Sequence, residues 1–213
     1  MLDYRGVNAY LEKDVYPLPN LETNLSALGK ANWFTCIDLL QGFHQLELED
    51  DGVSKEATAF SSKRGQFQWV RMPMGLASSP STFMRLVDSA LRGLPPGTAL
   101  AYVDDLVIPT SGTFQEHLDD VGKVFDRLIE AGFAVRCDKC HIGLKSVPYL
   151  GFMVGTYGTK PMASKTKAIV EMAIKHVIGD PAAAARFAGM MGFYSKFVPD
   201  LHSLLGAFHE LKA

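Results

Sequence analysis

The 213-residue chain is long enough for one large domain or two small ones and can bury a sizeable core. With 47% hydrophobic and 21% charged residues its composition is globular, and no apolar run reaches the length of a membrane span. A formal charge of −2 excludes a generic nucleic-acid-coating protein, which would be strongly basic, but not a nucleic-acid enzyme whose acidic site is offset by bound metal.

The start, Met1-Leu-Asp-Tyr-Arg5, is not a secretory signal, so an intracellular protein, cytoplasmic or nuclear, is expected. Three cysteines, an odd number, fit reduced thiols better than a disulfide framework. Cys137-Asp-Lys-Cys140-His141 matches the pattern for c-type haem attachment, yet it lacks an export signal and falls in a strand-forming region. A zinc knuckle would need further ligands, and there is no second cysteine pair.

Tyr16-Pro-Leu-Pro19 imposes an extended course on the opening segment. Asn20 suits the cap of a short helix, Leu21 to Leu28, that ends at Gly29. Trp33-Phe-Thr-Cys-Ile37 reads as a buried strand running into Asp38, which is either a metal ligand at a strand end or an ordinary turn or cap. Leu39 to Gln45 follows, with Gly42 permitting close backbone approach. Ala57 to Ser61 and Gln66 to Arg71 read as strands joined by Ser62-Lys-Arg-Gly65. That basic tip is either a solvated hairpin end or a phosphate contact. Ser79-Pro80 starts a helix whose spacing is kept by Phe83, Leu86, Val87, Ala90 and Leu91 as far as Gly93.

In the stretch Leu100 to Ile108 two adjacent carboxylates, Asp104 and Asp105, interrupt a run of β-forming apolar residues. Paired like charges between apolar strands cost desolvation and repulsion unless a cation lies between them. The pattern predicts two short strands with the acidic pair at a tight turn, ready for a divalent metal; a plain Asp-Asp turn is the other reading. Phe114 to Ala131 is the clearest amphipathic helix, with Leu118, Val121, Phe125, Leu128 and Ile129 on one face and Gly132 at its end. Phe133 to Cys137 and Val147 to Val154 read as further strands. Beyond Pro161 the pattern turns helical: Ser164 to about Val177, Pro181 to Lys196, and Leu201 to Lys212. Residues 1–160 and 161–213 are the two units this implies.

A strand ending in Asp38, a helix, then a strand-turn-strand bearing Asp104 and Asp105 is the order of a polymerase palm. Nucleotidyl transfer needs a divalent ion to lower the pKa of the attacking 3′-hydroxyl and another to neutralise the departing pyrophosphate, and carboxylates from adjacent strands can bridge such a pair. Motifs along nearly the whole chain then fall into register: Asp3-Tyr-Arg5, Tyr16-Pro-Leu-Pro19, Ile37-Asp-Leu39, Gly42-Phe-His-Gln45, Thr58-Ala-Phe60 and Met72-Pro-Met-Gly-Leu76. They continue with Ser79-Pro-Ser-Thr-Phe83, Tyr102-Val-Asp-Asp105, Glu116-His-Leu118, Lys139-Cys140, Tyr149-Leu-Gly151 and Gly192-Phe-Tyr-Ser-Lys-Phe-Val-Pro199. Together they resemble the reverse transcriptase segment of gypsy-type long-terminal-repeat retrotransposons, carried on retroviral-like Pol polyproteins.

The resemblance implies an α+β fold: an antiparallel palm sheet with helices on one face, partial fingers (1–160), and a small helical thumb (161–213). It implies an RNA-directed DNA polymerase acting on an RNA or DNA template-primer and dNTPs with two Mg²⁺ ions, or Mn²⁺. Asp38, Asp104 and Asp105 would be metal ligands with the Leu39 carbonyl, and Lys139 a proton donor to pyrophosphate. Gln41 and Gly42 would meet the triphosphate through their amides, Phe43 would exclude a ribose 2′-hydroxyl, and Met74 and Gly75 would line the nucleotide pocket. Tyr102, Leu150 and Gly151 would contact the primer.

Two positions depart from the family: Met74 stands where relatives carry Phe or Gln, and Gln41 where Ser or Ala is usual. The Lys and Arg that clamp the triphosphate in the family precede Asp3-Tyr-Arg5, and connection, ribonuclease H and integrase segments lie outside these residues. If two charge-assisted contacts of roughly 1.5–3 kcal/mol each are missing, nucleotide affinity falls more than about a hundredfold, and a weak or inactive polymerase is expected. The alternative is an inactive remnant that binds nucleic acid or protein; a nucleotide cyclase would lack these flanking motifs.

Overall fold

The computed structural model describes residues 2–12, 14–17, 19–173 and 180–210. Helices α1 (Arg5–Asn8) and α2 (Leu21–Leu28) lead to strand β1 (Trp33–Asp38). A small hairpin, β2 (Phe60–Ser62) and β3 (Gly65–Phe67), precedes α3 (Ser79–Ala90). Another hairpin, β4 (Leu100–Tyr102) and β5 (Asp105–Thr110), runs into α4 (Phe114–Glu130). Then come β6 (His141–Leu144), β7 (Ser146–Tyr149), β8 (Phe152–Gly155) and β9 (Gly158–Pro161), and finally α5 (Ala163–Met172), α6 (Pro181–Phe193) and α7 (Leu201–Glu210).

The central sheet has the order β4-β5-β1-β6 with antiparallel pairing throughout, and β7-β8-β9 forms a second, three-stranded sheet. Strand alternation divides the core in two. Ile37, Leu39, Ala101, Leu106 and Ile108 face α3 and α4, where Phe83, Met84, Val87, Val121, Val124 and Leu128 close over them. Phe34 and Val107 face the other way, onto Leu25 and Leu28 of α2 and onto Val147, Tyr149, Phe152 and Val154 of the second sheet. One helix, α2, therefore lies on the face opposite α3 and α4. Phe83 is fully buried, with Phe43 and Phe133 set edge-on to its ring, so truncating it to Ala costs about 3–5 kcal/mol.

The helices begin where their caps dictate. Asn20 accepts from the Glu22 and Thr23 amides, Asp180 from those of Ala182 and Ala183, and Thr113 forms a reciprocal capping box with Glu116. Helix α4 is locked to the sheet by His117, which is completely buried. Its Nε2 lies 2.8 Å from Thr35 Oγ1 and its Nδ1 2.9 Å from Thr110 Oγ1. Thr110 donates its own proton to Asp120, so it accepts from Nδ1–H, and Nε2 accepts the Thr35 hydroxyl proton.

Several elements differ from expectation. Phe133 to Cys137 is no strand: Val135 makes an isolated bridge to Leu39, Cys137–Lys139 is a 3₁₀ turn, and the strand comes later, at His141. Val147 to Val154 is two strands, because Leu150 and Gly151 both take positive φ (50° and 83°) and turn the chain back on itself. Gln66 to Arg71 is strand only to Phe67, beyond which Arg71 bridges Glu47. The helix read from Ser164 to Val177 is seen over Ala163–Met172, and its remainder runs into residues outside those described, as does the end of the one expected to reach Lys212.

Candidate active site

The site is built by one register. In the β1–β5 ladder Asp38 is the direct partner of Asp105, and in the β4–β5 hairpin Tyr102 is the partner of Asp105, which leaves Val103 and Asp104 as a two-residue turn. Residues directly opposite in a ladder project from the same face, so the Asp38 and Asp105 carboxylates share the side away from α3 and α4. The turn is strained: Val103, a β-branched residue, has φ 54°, and its amide donates to Met84 Sδ at 2.9 Å. The Leu39 amide donates to the Asp104 carbonyl at 3.2 Å, which ties the end of β1 to the turn.

Asp104 is enclosed from the other side by Gly42. A Cβ on that glycine would stand 2.6 Å from the Asp104 carboxyl carbon and nearer still to Oδ1. Any side chain there would displace the Asp104 carboxylate. Asp104 Oδ1 is buried and has no hydrogen-bond partner. Burial first, then the charges of Asp105 and Asp38, raises the Asp104 carboxyl above the usual range. Asp105 is raised too, by burial and then by Asp38, with the Lys139 ammonium pulling the other way.

A cleft of about 360 Å³ opens beside them, lined by Asp38, Asp105, Asp138, Lys139, Leu150 and Gly151 among others. Lys139 Nζ lies 3.9 Å from Asp38 Oδ2, and both side chains are open enough to solvent that the pair adds little stability. The turn carrying Lys139 is held by Cys140, whose Sγ donates to the Arg136 carbonyl. Cys36, on the cleft wall, has its thiol pushed up to about 12 by burial and then by the Asp105 charge, so it is inert. Among the described residues no three His, Cys, Asp or Glu side chains are grouped closely enough to hold a metal ion.

The structure therefore brings Asp38, Asp105 and Lys139 to one cleft with Leu150 and Gly151, while Asp104, on the adjoining turn, packs against Gly42 and ties to Leu39, and Tyr102 stands beside Asp105. Gln41, in the left-handed conformation (φ 52°), lines a separate depression with His44, Trp69 and Arg71. Phe43 is half-buried, edge-on to Phe83 at 5.6 Å. Met74 is exposed, and Gly75 is held to the N-terminal segment by Asn8 Nδ2, which donates to its carbonyl at 2.9 Å; neither lines the carboxylate cleft. Sequence reasoning passed over Gln45, although a polar residue inside the Gly42-Phe-His-Gln45 motif was the available signal.

Residues 1–154 match the family model described as reverse transcriptase (RNA-dependent DNA polymerase). The chain belongs to the reverse transcriptase family. Relatives include the retrovirus-related Pol polyprotein from transposon 297 of Drosophila melanogaster, 40% identical over 94% of this chain. The Pol polyprotein from transposon gypsy of the same fly is 33% identical over 96% of it. The chain spans 18% and 19% of the length of those two polyproteins. A solved structure of the foamy viral protease-reverse transcriptase in complex with dsDNA superposes with a TM-score of 0.86 at 28% identity, covering 99% of this chain and 42% of that one. This is thus a reverse transcriptase domain of the kind carried by retrotransposon Pol polyproteins, with an α+β fold. No helix among the described residues is long and apolar enough to cross a membrane.

Proposed function

We propose that this chain carries the nucleotide-adding site of an RNA-directed DNA polymerase, with residues 1–160 as palm and partial fingers and 161–213 as a thumb-like segment. The observation that carries the reading is the convergence of Asp38 and Asp105, partners in one rung, with Asp104 on the adjoining turn. Holding like charges this close, with Asp38 and Asp104 half-buried, is unfavourable unless a cation neutralises them.

The donor set fits a divalent cation. Asp104 Oδ1 is a buried acceptor with no partner, and Gly42 keeps clear the space that its carboxylate occupies. Asp38, Asp104, Asp105 and the Leu39 carbonyl would hold Mg²⁺, as a pair of ions, or Mn²⁺, with substrate phosphates supplying the remaining oxygens. When bound, the ions activate the 3′-hydroxyl of the primer and neutralise the departing pyrophosphate. The protein's own groups do the positioning. The Gln41 and Gly42 amides receive the triphosphate, and Phe43 stands against the sugar. Tyr102, Leu150 and Gly151 hold the primer terminus. Lys139, beside Asp38, delivers a proton to pyrophosphate. Template-primer binding is supported by foamy viral relatives solved with dsDNA and with an RNA/DNA hybrid.

Primer extension on an RNA template, run beside Mn²⁺ titration followed by electron paramagnetic resonance, tests the reading. Synthesis that stops with EDTA and with Asp104→Asn, and Mn²⁺ affinity that falls in the same variant, is the expected result. Mn²⁺ binding indifferent to Asp104→Asn would refute it.

A further inference from the structure

Beyond Asp38, the first strand continues against a segment that is not part of β6. Leu39 bridges Val135, the Arg136 amide donates to the Asp38 carbonyl at 2.9 Å, and the Leu40 amide donates to the Ala134 carbonyl at 2.9 Å. In an antiparallel ladder of this register Leu40 and Ala134 exchange both of their hydrogen bonds. Here the return bond runs through a side chain. The Ala134 amide donates to Gln45 Oε1 at 2.6 Å, and Gln45 Nε2 donates to the Leu40 carbonyl at 2.6 Å and to the Ala134 carbonyl at 3.1 Å.

The carboxamide acts as an extra peptide group set into the rung, with its acceptor and both donors engaged. Leu40 can then part from Ala134 with the backbone groups of both still satisfied. The freed chain takes the left-handed turn at Gln41 (φ 52°) and brings Gly42 onto Asp104. On the other side of the wedge, Ala134 leads through Arg136 into the turn that sets Lys139 3.9 Å from Asp38.

We infer that Gln45 is a positioning residue for the incoming nucleotide: its side-chain amide, wedged between Leu40 and Ala134, sets where the Gln41 and Gly42 amides stand beside Asp104. The inference rests on the polymerase reading for the role of those amides, while the wedge itself is independent of it. Because the rung is a side chain, it can be altered without touching a carboxylate. Gln45→Glu preserves shape and acceptor but turns an anionic oxygen toward the Leu40 and Ala134 carbonyls. Gln45→Ala removes the wedge.

Amide hydrogen exchange at Ala134 and Gly42, measured by NMR, together with primer extension at varied dNTP and pH, decides it. The Ala134 amide should exchange about tenfold faster in both variants, and KM for dNTP should rise about tenfold with kcat little changed. In Gln45→Glu alone, KM should recover as the pH falls, because the protonated carboxyl again donates to the Leu40 carbonyl. Unchanged Ala134 exchange overturns the inference. So does a fall in kcat with KM and pH profile intact, the mark of a merely structural residue. If the parent chain extends no primer and its Mn²⁺ binding is indifferent to Asp104→Asn, the polymerase reading fails on its own, and Ala134 exchange still decides the wedge.

Discussion

Asp38 and Asp105 face one another across a single rung of the β1–β5 ladder. Like charges directly opposite weaken a sheet. The Asp105 carboxyl is raised from its ordinary value of 3.8, by burial and then by Asp38, so the folded state binds its proton more tightly than the unfolded chain does. Stability from this group therefore falls as pH rises from 3.8 through the folded pKa, and the penalty is complete above it. At pH 7 without divalent ions, Asp105→Asn should raise the thermal midpoint only slightly, by about 1–2 °C, because the side chain is exposed and solvent screens the repulsion. Calorimetry at pH 7 and at pH 3 checks this, since the gain should vanish in acid. Primer extension by the same variant should drop at least about a hundredfold.

Gly42 is required by contact, not by backbone conformation. A methyl group there would drive into the Asp104 carboxylate. Gly42→Ala should cost about 1–3 kcal/mol, the usual penalty for overpacking, measured as a lower urea midpoint with unchanged slope. Displacing the carboxylate by about 1 Å should lower synthesis about a hundredfold.

His117 makes the fold acid-sensitive. Burial lowers its pKa from the ordinary 6.5, and the Asp120 charge opposes this only in part. The unfolded chain thus takes up a proton that the folded chain refuses, so stability is full above 6.5 and declines as the pH falls through the lowered folded value. His117→Gln should flatten the fall in urea midpoint as the pH drops below 6.5, while costing about 1–3 kcal/mol at neutral pH through its broken threonine bonds.

Left-handed backbone at a non-glycine residue costs about 1–2 kcal/mol, and Gln41, Val103 and Leu150 all take that conformation around the site. Gln41 is the one to test, because its side chain is exposed. Gln41→Gly should stabilise the protein by about 0.5–1 kcal/mol after the entropy of glycine is counted, read as a higher thermal midpoint. The freed loop should bind dNTP more weakly.

Composition and motif order were enough to identify the family and the helices that begin at Leu21, Phe114 and Pro181, and they singled out Asp38, Asp104 and Asp105 as the candidate acidic residues. Those features are local: a cap or a two-strand turn is written in residues a few positions apart. Phe133 to Cys137 is no strand, and the contact that meets it there, from Gln45 to the Ala134 amide, comes from 89 positions away. The break at Leu150–Gly151 was hidden because an apolar run looks the same whether it continues or folds back. Likewise no local signal put Phe43 on Phe83, left Asp104 Oδ1 without a partner, or held Met74 and Gly75 apart from the carboxylate cleft. By itself the sequence determined which residues could do the chemistry. Only the tertiary structure decided which of them meet, because the rung that opposes Asp38 to Asp105 and the glycine that admits Asp104 are contacts between segments far apart along the chain.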